Sequence, residues 1–192
     1  MIMKPLLLLA ALAGSLAAAG DEILLASQLR PPAEELGPGW TGPTGLVLDD
    51  LDTPPPAGAV DTATLTALRQ QMKALGVRSL ADFTYRRKDH PEEQMTLRVF
   101  VFASEAKCRD WIQKRYQTAG WEKHYRKVDG AWDTGLDSLE MRKRIVATGP
   151  VWITSGTVSD QADHRKALDL VLVRLKKLRE EQPADPVPRP QP

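Results

Sequence analysis

The side chains best suited to chemistry in this sequence fall in one stretch. There Trp111, Tyr116, Trp121, Tyr125 and Trp132 interleave with Lys114, Arg115, Lys123, His124, Arg126 and Lys127. Flat apolar rings beside cations bind sugars or anionic groups, through ring-face contact and charge-assisted hydrogen bonds. Trp111 and Tyr116 lie on the apolar stripe of a helix, so the ligand-binding expectation rests on Trp121, His124, Tyr125, Trp132 and Arg115. Arg115 is the anomaly, because it sits in the middle of that stripe. Either its stem covers apolar surface while the head reaches water, or it meets a carboxylate or an incoming anion. Arg142 and Arg144 join the candidate set as cations on the polar side of a strand, which would be open if no helix covers it.

A second pattern is acidic. Asp129, Asp133, Asp137 and Glu140 occupy positions one, five, nine and twelve of a twelve-residue window, slots that hold calcium in an EF-hand. Position three is Ala131 and position six is Thr134, where that loop needs an oxygen ligand and a glycine. This leaves a metal site as a weak candidate. The histidines His90, His124 and His164 have no metal-ligand spacing. No nucleophile elbow, zinc-protease motif, C-x-x-C or glycine-rich phosphate loop is present, and no cofactor is implied.

The start of the chain reads as an export signal. Lys4 precedes the apolar run from Pro5 to Ala13, and small residues, Ala17-Ala18-Ala19-Gly20, lead into Asp21. The 16 uncharged residues from Pro5 to Gly20 would span roughly 24 Å as a helix, short of the ~30 Å hydrocarbon core. Residues 1–19 are therefore expected to be a signal peptide, with the remainder exported to the periplasm or medium and no membrane-spanning segment in the mature chain. Cys108 is the single cysteine, which excludes an internal disulfide and a lipid-bearing cysteine after the leader. Its place within the apolar sector of its helix predicts a buried, inert thiol. Without Lys4 the basic and acidic side chains balance, so the footprint for nucleic-acid binding is missing.

The elements that must position these groups follow from local pattern. Residues 20–60 are rich in proline and glycine, as in Gly37-Pro38-Gly39 and Thr53-Pro54-Pro55-Pro56, and predict an irregular lead-in docked on the domain. Asp61 caps a helix whose stripe is Leu65, Leu68, Met72 and Leu75, ended by Gly76. The period then changes to two through Phe83 and Tyr85, and through Met95, Leu97, Val99 and Val101, which predicts a strand pair. Phe100 and Phe102 make the second strand apolar on both faces, so something must cover it there. A helix follows from Ser104 to about Ala119, and residues 121–137 read as a loop. Strands over 139–147 and 151–158 flank Gly149-Pro150, and a last helix runs over about 160–181.

The expected fold is α+β. It is a two-layer sandwich in which an antiparallel sheet of about four to five strands carries two to three helices on one face, in the order α-β-β-α-(β)-β-β-α. The domain spans 61–181, and a Pro-rich tail that cannot pack covers 182–192. The functional expectation is an exported, non-catalytic domain binding an envelope protein or an anionic or saccharide ligand. The alternatives are a small exported hydrolase with a histidine–carboxylate pair and a metal- or calcium-stabilised module.

Overall fold

The computed structural model describes residues 24–54, 61–116, 125–128, 131–134, 143–157 and 164–181. The α+β class holds: one sheet, antiparallel at every pairing, carries the helices. Among the described residues it has seven strands, β1 (Trp40–Leu48), β2 (Val77–Arg87), β3 (Gln94–Phe102), β4 (Tyr125–Val128), β5 (Ala131–Thr134), β6 (Lys143–Thr148) and β7 (Val151–Thr157). Their spatial order is β1-β2-β3-β7-β6-β5-β4, which leaves β1 and β4 at the edges. The sheet thus exceeds the expected four to five strands, because β1 and the β4–β5 pair come from stretches read as irregular.

Strand β1 forms despite its prolines and glycines for a positional reason. Pro43 lies where the β1–β2 register shifts between Thr41 and Thr44 on an edge strand, the place where a missing N–H is tolerated. Gly45 (φ +133°) lets β1 approach β2 so closely that a Cβ there would stand 1.9 Å from the Asp82 carbonyl oxygen.

The first long helix, α2 (Thr62–Ala74), starts where the Asp61 carboxylate accepts the Thr64 amide at 3.2 Å, and Gly76 (φ +78°) follows its end. Helix α3 (Glu105–Tyr116) opens on Ser104, whose hydroxyl accepts the Lys107 amide at 3.3 Å. Helix α4 (His164–Glu181) buries Ala167, Leu168, Val171 and Leu175 along one stripe.

These helices divide between the two faces of the sheet, which corrects the expectation of cover on one face only. Helix α4, the short helix α1 (Ala33–Leu36) and a 3₁₀ turn at Ala26–Leu29 pack on the face carrying Phe83, Tyr85, Leu97, Val99 and Ile153. Helices α2 and α3 pack on the other face, over Leu80, Phe100, Phe102 and Trp152. The cause lies in β3, where apolar residues point both ways. Each large side chain buried on either face contributes about 1.5–3 kcal/mol, so neither row is left to water.

Polar contacts fasten residues 26–49 to the sheet. The Ser79 hydroxyl, fully buried, accepts the Ala26 amide at 2.7 Å and donates to Asp49 Oδ1 at 2.9 Å. That same carboxylate oxygen accepts the Ser27 amide at 3.1 Å. Tyr85, also fully buried, donates its hydroxyl to the Pro31 carbonyl at 2.7 Å, and burial raises its pKa well above the ordinary phenol value.

Candidate functional site

The face beneath α2 and α3 is built from two adjacent cross-strand rows. One row runs Leu48, Leu80, Phe100, Trp152, Ala147 and is apolar throughout. The next runs Leu46, Asp82, Arg98, Thr154, Ile145 and carries an ion pair at its centre. Across both rows lies a cavity of about 290 Å³. Leu68 and Met72 of α2, with Leu75 at its C-cap, form one wall, and Trp111 and Arg115 of α3 form the opposite side. Leu80, Phe100 and Trp152 make the floor, while Gln71, Asp82 and Arg98 supply polar groups.

Aromatic contact sets the shape of this cleft. Trp111 meets Trp152 edge-on with ring centroids 4.7 Å apart, and Phe100 lies 5.1 Å from Trp152 and 5.7 Å from Trp111. Phe102 packs behind, 5.9 Å from Trp111. Edge and tilted contacts of this kind are the favoured ring geometries. Cys108 is buried behind the same cluster, and desolvation pushes its thiol up to about 12, with Glu105 adding to the effect. A buried thiol held neutral in this way is a poor nucleophile, as its place on the helix predicted.

The polar groups are arranged asymmetrically. Arg98 donates through Nε to Asp82 Oδ2 at 2.9 Å and through Nη2 to the same oxygen. Arg115 is exposed, and its guanidinium stands over the Trp111 ring at 5.3 Å. This resolves the anomaly of a cation in an apolar stripe: the stem and head lie along the ring that the stripe buries. Two buried polar atoms on the floor rows, Trp152 Nε1 and Thr154 Oγ1, have no hydrogen-bond partner among the described residues.

Of the residues singled out from the sequence, Arg115 lines this cleft. Arg144 does not. It reaches Asp169 of α4 at 3.2 Å on the opposite face, so the open sheet surface expected around it is covered by a helix. Tyr125 pairs with Thr134 in β4–β5, and Trp132 pairs with Lys127 and, one strand further in, with Ala147. Trp121, His124 and Arg142 lie outside the described residues, as do Asp129, Asp137 and Glu140. Asp133 lies in β5, paired with Arg126 and Val146, where an EF-hand would hold its loop between two helices. The described histidines are not at the cleft: His90 contacts Glu92 at 3.3 Å between β2 and β3, and His164 is buried on α4.

Sequence reasoning missed Asp82, Arg98 and Trp152. Asp82 and Arg98 sat on the polar side of an alternating strand pair, which looks like an ordinary solvated face. Their cross-strand pairing was the available signal, since each lies the same short distance from the strand pair's turn.

No helix among the described residues is long and apolar enough to cross a membrane. No family model matches the chain, and no curated protein does. Among solved structures, the extracellular domain of PknH from Mycobacterium tuberculosis is similar in fold over 84% of this chain and 100% of that one, with 10% sequence identity and a TM-score of 0.49. That likeness is too loose to carry any inference about function.

Proposed function

We propose that this chain is an exported, non-catalytic domain that holds a compact ligand in the α2–α3 cleft, at work in the cell envelope. The observation that carries the reading is the cleft itself, in which Phe100, Trp111 and Trp152 adjoin Asp82, Arg98 and Arg115. Its volume of about 290 Å³ falls at the low end of the ~300–1,000 Å³ typical of ligand sites. An apolar floor with a few polar groups at one side is the usual build of such sites, where the apolar part supplies affinity and the polar part orientation. A hydrolase reading would need a histidine within reach of a carboxylate and a nucleophile inside a pocket. The His90–Glu92 contact is exposed between two strands, away from the cleft.

Titration with naphthalene-2-sulfonate, followed by tryptophan emission, tests the cleft. Saturable quenching is expected, because two indoles line the site. A response that only grows linearly with probe contradicts it. Export has its own check. Amino-terminal sequencing of the envelope-associated protein should begin at or next to Gly20, whereas recovery of the intact Met1 form from the cytoplasm overturns the export reading.

A further inference from the structure

We infer that the cleft selects an anion: a flat apolar body bearing one carboxylate or sulfonate, met by Arg115 at the α3 side. This rests on the ligand-cleft reading above and deepens it.

The charge balance of the lining points this way. Asp82 and Arg98 neutralise one another through their shared carboxylate oxygen. That leaves Arg115 as the uncompensated charge of the lining, since its described contact is the neutral face of Trp111. A guanidinium stacked on an indole keeps its N–H edge free to donate, and that edge suits a planar, two-oxygen anion. The apolar floor of Leu80, Phe100 and Trp152 suits a flat apolar body. A neutral sugar would leave the Arg115 charge unmatched.

The Asp82–Arg98 pair then acts as an internal competitor. Asp82 holds the Arg98 guanidinium and places a negative charge beside the incoming one. Removing that charge should tighten anion binding, an effect that a purely structural ion pair would not produce.

Calorimetric titration of the full chain with naphthalene-2-sulfonate, the neutral 2-naphthalenemethanol and methyl glucoside separates the possibilities. The sulfonate is expected to bind about tenfold more tightly than the neutral naphthalene, and the advantage should shrink at high salt. Arg115→Gln should abolish the advantage, weakening the sulfonate about tenfold more than the neutral probe, and Asp82→Asn should raise sulfonate affinity several-fold. Arg115 is exposed, so its variant should melt like the wild type. Equal affinity for the two naphthalenes, or equal weakening of both by Arg115→Gln, overturns the anion selectivity while leaving the cleft as a binding site. Tightest binding of methyl glucoside replaces the anion by a saccharide and also overturns it. Binding of none of the three overturns this inference together with the ligand-cleft reading.

Discussion

Gly45→Ala is expected to destabilise the fold by about 3 kcal/mol or more, the largest effect of any glycine-to-alanine change among the described residues. The added Cβ would stand 1.9 Å from the Asp82 carbonyl oxygen and 3.0 Å from its carbon, with φ at +133°, a region an L side chain rarely adopts. Both colliding partners are backbone, so no rotamer change relieves the contact. The chain must break the β1–β2 register around Leu46 and Asp82 or twist the strand away. Either response widens the cleft, because both residues line it. Chemical denaturation should therefore show a lower midpoint, with weakened probe binding in the fraction still folded. Val47→Ala is the internal control: Val47 is 40% exposed on the same strand, and its truncation should shift stability by no more than about 0.5 kcal/mol. A Gly45→Ala protein as stable as wild type would mean that β1 does not lie on β2 in this register.

The second large effect is at Trp152. Truncation to alanine removes a side chain that is 2% exposed and touches both Phe100 and Trp111. Losses of about 3–5 kcal/mol are usual for such large-to-small changes, part transfer and part cavity. The cavity opens into the floor of the cleft, so affinity for naphthalene-2-sulfonate should fall with stability. Trp152→Phe separates the two contributions. It keeps an aromatic ring on the floor and deletes the Nε1–H. Since that donor has no partner among the described residues, its loss strands no acceptor, and the fold should lose only about 1–2 kcal/mol. Affinity for naphthalene-2-sulfonate should decline less than in Trp152→Ala, because a ring stays on the floor. Equal loss of affinity in both variants would remove ring contact at this position from the binding.

Much of the scaffold was legible in local pattern. Asp61 and Gly76 bounded α2, the change to period two announced β2 and β3, and Gly149-Pro150 lies between β6 and β7. Phe100 and Phe102 announced a second covered face before any helix could be assigned to it. The failures share a cause. A glycine inside a run of turn residues reads as a break, yet Gly45 is what permits an edge strand, and only the partner strand reveals this. Likewise, alternation shows which residues share a face, but not whether a helix lies over that face. Arg144 was read toward solvent and lies under α4 instead. The cleft draws on β1, α2, β2, β3, α3 and β7. Its composition depends on register across the sheet, and Arg115 stood out in advance because a charge within an apolar stripe conflicts with its neighbours locally.

In the proposed function, ligand enters between α2 and α3 and lies on the rings of Trp111 and Trp152. A two-dimensional ¹H–¹⁵N spectrum with indole resonances assigned, recorded as naphthalene-2-sulfonate is added, tests it most directly. The Nε1–H signals of Trp111 and Trp152 should shift together along one saturating curve. Trp40, packed in the opposite core with Arg87 over its ring at 5.0 Å, should stay in place. Movement of Trp40 with Trp111 and Trp152 unchanged would contradict the account, as would a spectrum in which no indole moves.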